Sequence, residues 1–328
     1  MFNNKVILVT GGTGSWGHEL TRQLLSCNPK EIRIFSRNEA SQFSMKQEFN
    51  SHPKLNFVIG DIKEKDDLTK ACKNVDYLFH LAALKHVPVC ENQPMEALKT
   101  NVLGTQNVID AAIDCNVQKV IYISTDKASD PSNFYGLSKA MGERLIIHAN
   151  TLDTKTRFVC IRGGNVLGTN GSVIHVFKRQ IKENNRVGIT DQDMTRFFLT
   201  VQDAIKLVFK ATFEALGGEI FVMKMPTCRI IDLAQVLIDE SKQENVEVDI
   251  IGARPGEKIH ELLLSEYESK TTVIYDEEYY VILPSIHIEG LKEYYSQCEL
   301  VTLETYNSST GLMNMDEIKA MLEKGGFL

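Results

Sequence analysis

The chain has 328 residues, 43% apolar and 24% charged, enough apolar side chain to bury a sizeable core and too much for intrinsic disorder. A formal net charge of −7 disfavours nonspecific nucleic-acid binding and leaves room only for a local basic pocket. Apolar runs fall far short of the roughly 20 residues that cross a bilayer, and MFNNKVILVT enters a strand pattern without the basic and apolar segments of an export signal. A cytoplasmic location without membrane association is expected.

Seven cysteines (Cys27, Cys72, Cys90, Cys115, Cys160, Cys228 and Cys298) are odd in number, widely spaced and free of any CxxC pair, which argues against a disulfide frame or a zinc knuckle. With no HExxH motif and no Cys/His cluster, no metal is expected.

In chain order, Lys5 to Thr10, Glu31 to Ser36, Leu55 to Ile59, Asp76 to His80, Lys119 to Ser124 and Arg157 to Arg162 read as strands separated by helical patterns. Near-continuous apolar strands alternating with helices predict an α/β doubly wound parallel sheet of Rossmann type. After about Gly163 the rhythm changes. Helices are expected at Ser172 to Lys182, Val201 to Leu216, Ile231 to Ser241 and Glu257 to Leu264, with short strands between, which predicts a smaller mixed α/β lobe. Patterning weakens from Ser285 until a final helix over Asn314 to Lys324, with Asp316 and Glu317 in its first turn. The expected division is a dinucleotide-binding lobe at 1–165 containing the catalytic segment, a substrate lobe at 166–284, and an extension at 285–328.

The first strand runs into TGGTGSWG, where Gly11, Gly14 and Gly17 precede a helix reaching Leu25. Glycines there let the backbone approach a pyrophosphate, whose charge the helix N-terminus favours. Trp16 is expected to pack over the helix start. Asp61, after the third strand, suits either the adenine amino group or a helix cap. The second strand ends in FSRNE with Arg37 and no acid, so Arg37 reads as a contact for the 2′-phosphate of NADP or as a solvated surface residue.

The fifth strand runs into Ser124-Thr125-Asp126-Lys127 and then Tyr135-Gly-Leu-Ser-Lys139. A tyrosine and a lysine four apart share one helix face, with about 5–6 Å between their Cβ atoms, and the lysine charge favours tyrosinate. Such a phenol accepts a hydroxyl proton while hydride leaves the same carbon for nicotinamide. Asp126 and Lys127, at the carboxyl end of a parallel strand, supply an acid and a base for elimination of water, or else a loop salt bridge of little energetic consequence. His86 reads as a structural hydrogen-bonder.

Together the glycine triplet, Tyr135 and Lys139 resemble the extended short-chain dehydrogenase/reductase superfamily. The stretches AALKHVP (82–88), KTNVLGTQNVIDAA (99–112), STDKASDPSNFYGLSKA (124–140), GNVLGTNGSV (164–173), MTRFF (194–198) and RPGEKIHE (254–261) resemble its polysaccharide-biosynthesis branch, which contains the inverting UDP-N-acetylglucosamine 4,6-dehydratases of the pseudaminic acid pathway. The resemblance implies tightly bound NAD or NADP, oxidation at C4 of the sugar, loss of water across C5 and C6, and return of hydride to C6 with inversion at C5.

By the same resemblance Thr125 would bond the C4 hydroxyl, Tyr135 deprotonate it, and Lys139 bind the nicotinamide ribose, with Asp126 as acid toward the C6 hydroxyl and Lys127 as base at C5. Thr13, Ser15, Trp16, Ser36, Ile62, Ala82, Ala83, Lys85 and Asn101 would join the glycines, Arg37 and Asp61 around the cofactor. Lys85, Asn165, Gly171, Ser172, Val173, Arg196, Arg254 and Glu257 would hold the UDP-sugar, and association into a homo-oligomer through helices is implied. The chain departs from the family pattern at Gly163, where an aromatic wall near the sugar would be lost, at Asn170 and His175 on the substrate side, and at Ser41, where a positive charge is missing, so NAD and NADP stand about level. Two other activities stay open: conversion of a UDP-linked 5,6-ene intermediate, and UDP-hexosamine 4-epimerisation, which needs Tyr135 and Lys139 but neither Asp126 nor Lys127. A noncatalytic nucleotide sensor would have no use for these four groups together.

Overall fold

The computed structural model describes residues 2–169, 172–253 and 256–328. Strand β1 (Val6–Thr10), helix α1 (Ser15–Ser26), β2 (Glu31–Ser36), α2 (Glu39–Glu48), β3 (Leu55–Ile59), α3 (Lys65–Cys72) and β4 (Tyr77–His80) come first. Two short helices, α4 (Val87–Asn92) and α5 (Pro94–Ala97), lead through a π-helical turn at Leu98–Leu103 into α6 (Gly104–Asp114), followed by β5 (Lys119–Thr125), a 3₁₀ turn at Asp126–Ala128, α7 (Phe134–Ala149) and β6 (Arg157–Gly163). The sheet runs β3-β2-β1-β4-β5-β6 with every pair parallel, the doubly wound order that leaves a crevice at the carboxyl ends where the winding reverses. All five residues of β1 are buried, as expected for a strand covered on both faces.

The chain then forms β7 (Asn165–Val166), α8 (Val173–Asn184), β8 (Arg186–Ile189), β9 (Thr195–Leu199), α9 (Val201–Glu214), β10 (Ile220–Met223), β11 (Thr227–Arg229), α10 (Ile230–Ser241) and β12 (Glu247–Ile250). The last elements are β13 (Leu262–Leu264), α11 (Glu266–Ser269), β14 (Thr272–Ile274), β15 (Tyr279–Ile282), α12 (Leu291–Tyr294), β16 (Tyr306–Asn307) and α13 (Met315–Lys324). Strand β10 extends the large sheet in parallel, and β15 and β14 close its edge antiparallel, giving nine strands. The smaller lobe has the sheet β11-β9-β7, the pairs β12-β8 and β13-β16, and its own core of residues such as Ile174, Phe177, Phe198, Leu233 and Leu237, onto which Ile318 and Leu322 of α13 pack.

Asn314 and Glu317 close a capping box at the start of α13, so the acidic first turn read in the sequence does its work there. The expected helix over Glu257 to Leu264 does not form. Its backbone groups go to distant partners instead: Thr195 N–H donates to Ile259 O, Ser308 N–H to Glu261 O, and Glu261 N–H to Ser308 Oγ, which leaves no i to i−4 ladder to build. Among the described residues no helix is long and apolar enough to cross a membrane.

Candidate active site

Loops at the carboxyl ends of β1 to β5 enclose a cavity of about 580 Å³. Gly11 sits at φ +68°, and a Cβ on it would lie 2.7 Å from the Ala82 backbone, so glycine lets the loops after β1 and β4 close on each other. Gly14 caps α1 with no side chain over the first amides, and with Thr13, Ser15 and Trp16 it lines the cavity, the arrangement that favours a pyrophosphate. Gly17 does not line the cavity; a Cβ there would fall 2.0 Å from Gly12 O, so this glycine seats α1 against the loop.

Ser36, Arg37, Asp61, Ile62, Ala82 and Ala83 complete the far end of the cavity. Arg37 Nη1 is 3.8 Å from Asp61 Oδ2, and Arg37 remains 57% exposed; Asp61 Oδ1 also accepts from Lys63 N–H. Asn101 stands behind the lining rather than in it. On the π-helical turn it is buried, its Oδ1 accepting from Leu84 N–H at 2.8 Å and its Nδ2 donating to Leu84 O and to Ser138 Oγ, both at 2.9 Å, so it fixes the loop that carries Lys85. His80 works similarly beneath β1, with Nδ1 paired to Thr10 Oγ1 and Nε2 to Thr105 Oγ1; burial pushes its pKa down to about 3, keeping the ring neutral.

Thr125 ends β5 and donates from Oγ1 to Asp126 Oδ1 at 2.8 Å. Lys127 Nζ lies 3.1 Å from the same Oδ1 and 3.2 Å from Glu261 Oε1. Thr125, Lys127, Tyr135 and Lys139 line the cavity, whereas Asp126, only 1% exposed, sits one layer behind. Burial opposes a charge on Lys127, but the Asp126 and Glu261 carboxylates outweigh it and hold the ammonium above the ordinary lysine range. Burial pushes the Tyr135 phenol up to about 12, with Lys127 and a Thr125 hydrogen bond pulling the other way and Asp126 adding to the rise.

The cation favouring tyrosinate is therefore Lys127, where the sequence spacing pointed to Lys139. Lys139 instead donates to Ile123 O at 2.7 Å and lies 3.8 Å over the Tyr122 ring, and burial pushes it down to about 7 against the pull of Glu143. Among the described residues, four buried polar atoms around this region have no hydrogen-bond partner: Thr100 Oγ1, Ser124 Oγ, Asp126 Oδ2 and Ser172 Oγ. Buried polar groups are seldom left so. Thr100 and Ser124 line the 580 Å³ cavity, so the side chains present fit a dinucleotide with hydroxyl-rich edges.

A second cavity, of about 390 Å³, adjoins the first and shares Lys85, His86 and Asn165 with it. Ser172, Val173, Arg196 and Glu257 line it. The Arg196 guanidinium donates to Thr195 O at 2.7 Å, Ile259 O at 3.0 Å and Lys258 O at 2.9 Å, and its ion-pair partners are Glu257 at 3.6 Å and Glu261 at 3.4 Å. Gly171 and Arg254, and with them Asn170, lie outside the described residues. Gly163 does not open the sugar side: a Cβ there would meet Met223 Sδ at 3.2 Å and Met225 Sδ at 3.9 Å, so the space belongs to the sheet's methionines. His175 is exposed, its Nε2 3.2 Å from Gly168 O.

Glu261 is the group that sequence reasoning missed. It stands in the RPGEKIHE stretch, but the helix expected there would have carried it away from Lys127.

The fold and the cleft define an enzyme of the extended short-chain dehydrogenase/reductase class. Residues 7–283 match a family model described as a polysaccharide biosynthesis protein, and the chain belongs to that family. It is 45% identical over 291 residues to a UDP-N-acetylglucosamine 4,6-dehydratase (inverting) of Campylobacter jejuni, covering 87% of this chain and 85% of that protein. To a UDP-glucose 4-epimerase of Rickettsia rickettsii it is 42% identical over 332 residues, covering 98% and 96%. The X-ray structure of Pen from Bacillus thuringiensis superposes with a TM-score of 0.91 at 37% identity, covering 98% of this chain and 99% of that one. NAD(P)-dependent dehydratase/epimerase chemistry on nucleotide sugars is the common ground of this group.

Proposed function

We propose that the protein is a UDP-N-acetylglucosamine 4,6-dehydratase that also inverts C5, giving a UDP-4-keto-6-deoxy-N-acetylhexosamine for glycan synthesis of the pseudaminic acid type. The observation that carries this reading is the ion pair of buried Asp126 and half-buried Lys127 beside Thr125 and Tyr135. A 4-epimerase has no need of an acid and a base there. The likeness to the dehydratase of Campylobacter jejuni supports the same substrate.

Bound nicotinamide would supply a hydride acceptor for C4 and later the donor for C6. In this reading Thr125 orients the C4 hydroxyl and Tyr135 takes its proton. The C4 ketone acidifies the C5 hydrogen, so Lys127, once its own proton has passed to the Asp126 carboxylate 3.1 Å away, can remove it. The C5–H electron pair becomes the C5–C6 double bond, and the C6 hydroxyl leaves as water with a proton from Asp126. Residues 1–165 would hold the dinucleotide, 166–284 mainly the UDP-sugar, and 285–328 would brace that lobe, with the enzyme working in the cytoplasm as a homo-oligomer. Exposed Arg37 suits the 2′-phosphate of NADP and the missing charge at Ser41 suits NAD, and mass spectrometry of cofactor released by denaturation decides between them.

A second reading, C4 epimerisation, draws on the 42% identity to the Rickettsia epimerase. Incubation in D2O with UDP-N-acetylglucosamine, and separately with its 5,6-ene derivative, followed by NMR, decides between them. Deuterium at C5 of a 6-deoxy product supports the dehydratase, and turnover of the 5,6-ene alone assigns the chain to the later half of the conversion. A C4 epimer without deuterium, surviving in Asp126→Asn and Lys127→Ala, would refute elimination.

A further inference from the structure

Among the described residues, a carboxylate with no part in the proposed proton transfers or the expected substrate contacts, Glu261, stands behind the lining of the two cavities. Glu261 is 3% exposed, and its backbone is fixed on both sides, N–H to Ser308 Oγ at 2.9 Å and C=O to Ser308 N–H at 2.9 Å. The side chain therefore has little freedom. One oxygen, Oε1, lies 3.2 Å from Lys127 Nζ and 3.4 Å from Arg196 Nε. Lys127 sits on the turn after β5, in the cofactor cavity, and Arg196 lines the adjoining cavity. Glu261 thus joins the two halves of the cleft through a single atom.

We propose that Glu261 is a positioning residue that holds the Lys127 ammonium at the mouth of the cofactor cavity and, through Arg196, makes the proton affinity of Lys127 depend on the charge of the sugar-nucleotide cavity. This rests on the reading of Lys127 as the base at C5.

Among the described residues, the charged and titratable groups facing Lys127 come from three elements and the segment before β13. Asp126 flanks it on its own turn and Tyr135 faces it from α7, while Glu261 precedes β13 and Arg196 lies on β9. Asp126 and Glu261 favour the ammonium, with Tyr135 adding to them, and Arg196 disfavours it. Arg196 is in turn balanced by Glu257 at 3.6 Å. An opposite charge at such range moves a pKa by about one unit or more, and removing either member of the Glu261–Arg196 pair moves Lys127 in opposite directions. A purely structural brace would lower stability or turnover without moving a titration.

The test is the pH dependence of deuterium incorporation at C5 from D2O, on the cofactor-loaded enzyme with UDP-N-acetylglucosamine. Glu261→Gln moves the rising limb about one pH unit lower, Arg196→Gln moves it higher, and Glu261→Asp, which keeps the charge, leaves the limb in place at a reduced plateau. If Glu261→Gln does not fold, Arg196→Gln and Glu261→Asp still decide the matter. Limbs that coincide with wild type in Glu261→Gln, or in Arg196→Gln, overturn the proposal. Lys127→Ala separates the two layers: exchange that persists in it refutes the base assignment, while exchange lost in it with unmoved limbs in the charge variants refutes only the role of Glu261.

Discussion

The two sides of the cleft are built by different means. Around the larger cavity each lining group comes from the end of its own strand or the loop after it: Gly11 and Gly14 after β1, Ser36 ending β2 with Arg37 after it, Asp61 after β3, Ala82 after β4, Thr125 ending β5. Parallel order alone brings those loop ends together. On the sugar side the working groups are held by partners far along the chain. Arg196 leans on Lys258 and Ile259, and Glu261 on Ser308. Lys258 Nζ bonds Asp130 O, while Ser132 Oγ and Asn133 Nδ2 donate to Gly256 O.

Arg162, 1% exposed, is the hub of that second side. It pairs with Glu143 of α7 at 2.6 Å and Glu268 of α11 at 2.8 Å, and Glu268 also accepts from Ser129 Oγ at 3.1 Å. The contrast predicts that damage around the larger cavity stays local, whereas damage in the long-range clamp spreads to the turn after β5.

The sharpest break of this contrast is chemical. Tyr135→Phe removes the phenol from the cofactor side and is expected to cut turnover by about 10²- to 10⁴-fold while the protein keeps its bound cofactor, measured as product formation and cofactor content of the same sample. Loss of cofactor as well would mean that the residue holds the fold, not the reaction. Next comes Arg162→Met, which strands Glu143 and Glu268 in the interior and should cost about 3–5 kcal/mol, read from the midpoint of urea unfolding. An unchanged midpoint would dissolve the idea of a clamp.

Acid separates the two regions by pH. His80, neutral when folded with a pKa near 3, binds a proton in the unfolded chain from about pH 6.5 downward, so its region loses stability as pH falls from 6.5 toward 3. Glu268 behaves otherwise: burial opposes its ionisation, but Arg162 outweighs that and holds it at about 2, so its contribution is full above the unfolded value near 4.5 and is lost as pH falls through 2. Unfolding curves of wild type, His80→Gln and Glu268→Gln at pH 7, 5 and 3.5 should show the His80 difference already changing between 7 and 5 and the Glu268 difference changing only below that. The smallest effect is expected at the tail. Asn314→Ala removes the cap of α13 and should cost about 1 kcal/mol with turnover unchanged, so a larger loss would show that the extension carries more of the sugar lobe than one helix start.

The parallel sheet was legible because strands such as β1 are near-continuously apolar, and the glycine loop because glycines sat between the first strand and the first helix. The cluster at the end of β5 was legible for a similar reason, Thr125, Asp126, Lys127, Tyr135 and Lys139 lying within fifteen residues of one strand end. Reading failed where partners were remote. Lys139 and Tyr135 share a helix face, yet the cation acting on Tyr135 is Lys127, because α7 packs against the turn after β5. Gly163 read as an opened sugar wall, but its missing side chain points at Met223.

The sequence by itself determined the layered fold, the position of the dinucleotide loop and the residue types at the reacting end, since local pattern and strand order suffice for these. The tertiary structure alone decided that residues 257–264 abandon a helix for long-range hydrogen bonds, and that Glu261 thereby reaches Lys127 and Arg196 at once. Such a meeting depends on where remote backbone groups find partners, and that cannot be read from spacing along the chain.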